Sequence, residues 1–158
     1  MTGLAPPLRK SPPKVEDHLQ HIVKLLEKHR LIETMVDRDR VSPRHELIES
    51  LIHRQHLVEL QLKLRSLHPA DIAFILEALP LNDRLMVWRQ MQDEQGGEVL
   101  LEVSDAVRDS LIEVLDRPTL VRVLSQLDAD DLTELADVVS EDVLTDVLLS
   151  LNARDRDW

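Results

Sequence analysis

The 158-residue chain has no cysteine and no tyrosine, one phenylalanine, two tryptophans and three glycines. Without thiols there can be no disulfide, no zinc–thiolate site and no cysteine nucleophile, a usage that fits a reducing compartment. The shortage of aromatics leaves Leu, Val and Ile to build the core, and the shortage of glycine favours helices over strands. No stretch approaches the roughly 20 apolar residues of a membrane span, and residues 1–13 lack the apolar centre of a signal peptide. There is no HExxH run, no Gly-rich phosphate loop and no nucleophile beside a base, so the sequence does not read as an enzyme.

What is present is leucine and negative charge. A chain of this length forms one domain able to bury about 70% of its unfolded surface. The charge is divided: residues 1–66 carry 12 Lys plus Arg against 9 Asp plus Glu, and residues 67–158 carry 7 against 21. The first part is therefore +3 and the second −14, for a total of −11. A surface with three carboxylates for each guanidinium repels phosphate, which excludes nucleic acid as its partner and favours cations or a basic surface.

The acidic part has a twelve-residue beat. Ser104, Asp116, Asp128 and Ser140 are helix-opening side chains, each preceded by an apolar residue, namely Val103, Leu115, Leu127 and Val139, with Leu151 on the next beat. Seven and eight residues after each cap stand Leu111 and Ile112, Val123 and Leu124, Leu135 and Ala136, Val147 and Leu148, the clustering of a one-sided helix. The unit reads as one short helix plus a two-residue turn, repeated. A helix this short cannot hide its own stripe, so neighbours must stack. Arg108 interrupts the pattern where later copies have Leu120, Leu132 and Leu144, which predicts a more open contact there.

Upstream, residues 1–13 with four prolines read as a disordered tail, and residues 14–66 as N-terminal helices packed with 67–158 into one domain. Val15, Leu19, Ile22, Val23 and Leu26 form a stripe, and residues 37–40 read as a loop. Ser42 and Pro43 start a helix that either bends near residues 53–56 or continues unbroken. His68, Pro69 and Asp71 open another, with Ile72, Ile75, Leu76 and Leu79 buried and Pro80 as its stop. Leu85, Met86, Trp88 and Met91 belong to the next, closed by Gly96 and Gly97. A sixty-residue recurrence relates Leu67–Ile72 to Leu127–Leu132.

The blocks LHPADIAFILEALP, GGEVLLEVSD and LDADDLTELADVV, in this order, resemble the cytoplasmic N-terminal domain of the MgtE family of magnesium channels and transporters, over about residues 43–151. The resemblance implies an all-α fold, a right-handed superhelix or solenoid of short amphipathic helices in the armadillo-like manner. It implies a sensor arm of a longer, dimeric inner-membrane protein, lying in the cytoplasm and docking through Mg2+ onto CBS domains that precede a transmembrane pore domain. Glu98 and Asp130 match acidic positions of the family, and Glu134 stands where Asp is usual. These three are the expected metal ligands, holding Mg2+ weakly and sharing it with the adjoining domains. Asp130 and Glu134, four apart on a helix, can share one hydrated cation.

Plainer readings stand beside these. Exposed carboxylates on a repeat are usually solvated surface, and Asp71 and Asp131, third after their caps, read as structural. His18 with His21, and His53 with His56 beside Glu49, have the spacing of a zinc pair but arise easily in a helix. Lys24, Lys28 and Arg30 read as a solvated face. The alternative to a sensor is an interaction scaffold without an ion role, similar to the helical repeats of flagellar rotor switch proteins.

Overall fold

The computed structural model describes residues 14–38 and 43–156, and among them nine helices and no strand. The expected tail at residues 1–13 and the cap at Ser42 lie outside the described residues. Two long helices come first, α1 (Val15–Arg38) and α2 (Pro43–Arg65). Seven short ones follow: α3 (Pro69–Ala78), α4 (Leu81–Arg89), α5 (Asp93–Glu102), α6 (Asp105–Glu113), α7 (Arg117–Leu124), α8 (Ala129–Leu135) and α9 (Glu141–Arg156). Their first residues, 69, 81, 93, 105, 117, 129 and 141, are spaced by twelve throughout.

The beat therefore begins three copies earlier than the capping residues reveal. At the four expected positions the cap is a real bond: Ser104 Oγ accepts from the Val107 N–H at 3.4 Å, Asp116 Oδ1 from Thr119 at 2.8 Å, Asp128 Oδ1 from Asp131 at 2.9 Å and Ser140 Oγ from Val143 at 3.3 Å. His68, Pro80 and Gln92 occupy the same place before α3, α4 and α5 and make no side-chain cap bond. Pro69 at the first position of α3 has no N–H that would need one. The connections leading into the four capped helices are two residues at 103–104, as expected, and then lengthen to three, four and five at 114–116, 125–128 and 136–140. Leu151 marks no further start, because α9 runs on through it to Arg156.

Alternate helices pack on one another: α3 on α5, α5 on α7 and α7 on α9, with α4, α6 and α8 flanking that row. The apolar pairs of the beat supply the interior, including Ile75, Leu76, Val99, Leu100, Leu111, Val123, Leu124, Leu135 and Val147. Ion pairs repeat the same offset between neighbours in the row, Arg122 Nε to Asp93 Oδ2 at 3.2 Å joining α7 to α5 and Arg117 Nε to Asp146 Oδ2 at 2.6 Å joining α7 to α9.

Gly96 and Gly97 correct the sequence reading. They do not close the helix bearing Trp88, which ends at Arg89, but lie buried inside α5. Neither has a positive φ, so they serve close approach rather than a turn. A Cβ on Gly97 would stand 2.9 Å from Leu127 Cγ and 3.1 Å from the Val123 carbonyl oxygen, and one on Gly96 3.1 Å from Val123 Cγ1. Met91 lies in the turn after α4.

Arg108 also differs from expectation. Its contact is closed: the guanidinium, 14% exposed, donates from Nε to the Leu100 carbonyl at 2.7 Å and pairs through Nη1 with Asp105 at 3.1 Å. Arg84, 24 residues earlier, donates in the same way to Leu76 at 2.8 Å and to Leu79 at 3.1 Å. Each arginine, fourth in its helix, satisfies carbonyls left open at the end of the preceding one. The Arg is a capping device of a 24-residue helix pair, not a damaged leucine.

The α1–α2 hairpin covers α3 at the head of the row through Ile22, Leu25, Leu26, Leu60 and Leu64. α1 continues to Arg38, so Asp37 and Arg38 are helical rather than loop, and residues 39–42 lie outside the described ones. α2 is one unbroken helix. Buried His56 bonds through Nε2 to the Leu25 carbonyl at 2.5 Å and stacks on His29, ring centroids 5.9 Å apart. Gln95 of α5 donates to the Leu64 carbonyl at 3.2 Å, tying the hairpin to the row.

Two substitutions test this packing. Gly97→Ala is expected to lower stability by about 1–2 kcal/mol in urea unfolding, because overpacking outweighs the gain in helix propensity, while Gly96→Ala costs less. Arg108→Leu, which completes the leucine pattern, is expected to cost about 1–3 kcal/mol through the orphaned carbonyls of α5.

Candidate functional site

The start of α3, the second half of α5 and the first turn of α8 enclose an open cleft of about 620 Å³, lined by His68, Pro69, Ala70, Asp71, Glu98, Leu101, Glu102 and Asp131. Four carboxylates thus come from three helices. Glu98 and Glu102 are four apart on α5, so both point to one side. Asp71 and Asp131 are each the third residue of their helices, α3 and α8, where a carboxylate meets the positive end of the backbone dipole.

Of the three residues expected to meet a metal, Glu98 lies in the cleft with its side chain exposed. Asp130 and Glu134 are exposed on α8, whose first turn forms one wall, but neither lines the cleft. Asp131, read from sequence as structural, occupies the wall instead, and so does Asp71. The signal was available: these two aspartates are the matching positions of the sixty-residue recurrence. Glu102 was missed although its four-residue spacing from Glu98 was visible. His68 lines the same cleft and makes no cap bond.

Electrostatics marks the crowded wall. Desolvation raises the Asp131 carboxyl above the ordinary aspartate range, and the charges of Asp128, Glu134 and Asp130 push the same way. Asp116 shows the opposite case: the Thr119 hydroxyl and N–H stabilise its charged form and hold it below that range. Glu77 is also held low, by the Ser104 N–H at 2.6 Å, in a bond linking α3 to the start of α6. Glu134 and Asp130 therefore act on Asp131 without standing beside it in the cleft.

Chemically the cleft suits a hard cation that keeps its water. Mg2+ prefers oxygen donors and is commonly held by one or two carboxylates with several waters retained, and the walls offer carboxylates opening to solvent. Among the described residues no group of three His, Asp or Glu side chains converges closely enough to hold an ion by itself. The histidine pairs have other roles: His18 Nδ1 lies 2.8 Å from Lys63 Nζ, and His56 is buried within the hairpin. The side chains of His53 and Glu49 lie outside the described residues. No helix among the described residues is long and apolar enough to cross a membrane.

Residues 67–157 match the family model of the MgtE intracellular N domain, more than half of the chain. The match begins at the first short helix and leaves the α1–α2 hairpin outside it, a narrower span than the resemblance from residue 43. No curated protein matches the chain.

The raised Asp131 carboxyl gives a signed prediction. Its native form holds the proton more tightly than the unfolded chain does, so ionisation penalises the fold as pH rises through and above the ordinary aspartate value of about 4. Asp131→Asn is expected to raise the melting temperature at pH 7 and leave it nearly unchanged at pH 3, measured by circular dichroism. An equal effect at both pH values would show that charge is not its cause.

Proposed function

The chain belongs to the MgtE intracellular N domain family, a non-catalytic domain family of magnesium transporters, and we propose that it senses cytoplasmic Mg2+ by docking its acidic cleft onto an adjacent module through shared hydrated ions. The observation that carries this reading is the gathering of Asp71, Glu98, Glu102 and Asp131 from three helices into one open cleft, with Asp128, Asp130 and Glu134 adding charge beside it.

Two unit charges 6 Å apart repel by roughly 0.7 kcal/mol in water and by more at a protein surface. A second acidic surface brought against this cleft multiplies that repulsion. Divalent ions at the contact reverse its sign, and the domain then closes or swings away as free Mg2+ rises or falls. The ion shifts the population only by its difference in affinity for the two arrangements. The module that completes the shell is a pair of CBS domains of the same parent chain, with a transmembrane pore domain beyond and the parent a homodimer. Closure favours the shut pore. Several weak sites answer a change in Mg2+ more steeply than one tight site would. Asp71, Glu102 and Asp131 join Glu98 and Asp130 as the residues to test; Glu134 acts through its charge.

In a parent protein containing the adjoining domains, rising Mg2+ is expected to protect the segment after residue 157 from protease. The Glu98→Ala, Asp131→Asn double variant should require at least about tenfold more Mg2+, as befits the loss of two ligands. Protection indifferent to Mg2+, or unchanged in the variant, overturns the reading in favour of an ion-independent scaffold. For the isolated domain, titration calorimetry should find binding no tighter than about millimolar, since part of each ligand shell comes from elsewhere.

A further inference from the structure

Helix α2 is apolar on two opposite faces. One, carrying His56, Leu60 and Leu64, is buried in the hairpin. The other carries Leu47, Leu51, Val58 and Leu62, which are 62, 57, 48 and 57% exposed, with Ile48 and Ile52 beside them at 54 and 48%. The exposed stripe is about 22 Å long at the rise of an α-helix. α2 packs on α1 and α1 on α3, so this face closes the head of the row. The end helix of a stacked array normally turns a polar face outward, and this one does not.

From the geometry of this stripe we infer that α2 is a self-association surface on which a second copy of the chain seats its own α2, antiparallel, about a two-fold axis. The intervals between Leu47, Leu51, Val58 and Leu62 are four, seven and four, the same in both directions. Reversing one helix against its twin therefore sets Leu47 opposite the second copy's Leu62, and Leu51 opposite its Val58, with the axis passing between Arg54 and Gln55. That is the self-complementarity a two-fold contact requires.

Area and charge agree. Six large side chains at about half exposure present roughly 500 Å² of apolar surface, or roughly 1,000 Å² across the pair, the lower bound for a specific interface. The half of the chain containing α2 is near neutral at +3, while the other half carries −14. Contact through α2 places the two acidic bodies at opposite ends of the pair, whereas contact anywhere along residues 67–158 would press like charges together. Residues 1–13 make a poor cover, with four prolines and only Met1, Leu4 and Leu8 as large apolar side chains. A helix that lies on a lipid surface carries a polar face rich in Lys and Arg, whereas α2 sets three glutamates against its four basic residues.

Sedimentation equilibrium of the chain over a concentration series is expected to show a reversible monomer–dimer transition indifferent to Mg2+. Leu51→Glu should raise the dissociation constant by roughly a hundredfold, since a two-fold contact loses the side chain twice. Its circular dichroism should stay that of the parent, because the residue is exposed. The absence of cysteine allows a second, positive test: Gln55→Cys, oxidised with diamide, should yield a disulfide-linked dimer, and Glu113→Cys on α6 should not. A chain monomeric at every concentration, equal crosslinking at both positions, or a monomer that co-sediments with anionic vesicles and loses that property in Leu51→Glu would each overturn the inference. None of these results bears on the cleft, whose reading stands or falls with Mg2+.

Discussion

A helix of seven to ten residues is not stable alone in water; it persists only while its apolar stripe is covered. Residues 69–156 are built almost wholly of such helices, so the molecule depends on burial between alternate members of a row. The twelve-residue pitch makes this work: it returns the first residue of each apolar pair to the interior at every step, while the second ranges from buried Leu76 to exposed Leu148. The surface is thereby free to carry 21 carboxylates in the second half of the chain without disturbing the core. Gly96 and Gly97 let α5 approach α7 and the turn after it until a Cβ on Gly97 would collide with Leu127.

The same arrangement produces the cleft. Regular spacing brings the start of α3, the body of α5 and the start of α8 to one side, although they are distant in sequence. First-turn aspartates placed at the positive ends of their own helices thus become neighbours of Glu98 and Glu102. One residue type serves helix and cleft together, and a carboxylate such as Asp131 cannot be assigned to one role by its position in a turn.

Much of this was legible in the residues, and the misses have physical causes. The beat was read from residue 104 because Ser and Asp carry a short oxygen that can cap. His68, Pro80 and Gln92 hide the earlier copies, although the pairs Ile75 and Leu76, Val87 and Trp88, and Val99 and Leu100 continue it without a break. The sixty-residue recurrence is five beats. A glycine pair marks either a special backbone angle or a missing side chain, and only the packing partner, here Val123 and Leu127, distinguishes them. Arg108 looked like a flaw because its true counterpart, Arg84, lies two beats away rather than one. Glu98 carries a likeness to a family acidic position and Asp71, Asp131 and Glu102 carry sequence spacings, but that these four meet in one cleft is a tertiary fact. The apolar residues of α2 fall within the helix expected from Pro43, but that six of them face outward depends on which side α1 covers.

The 24-residue period set by Arg84 and Arg108 limits how such a chain can change length. An insertion of one helix and its turn would move every later element from the row to its flank and turn its greasy side to solvent. An insertion of two would leave each element facing its former neighbour. Growth or loss in this architecture is therefore quantised in pairs, and a lineage could shift the distance between the hairpin and the far end by such steps without redesigning a single interface.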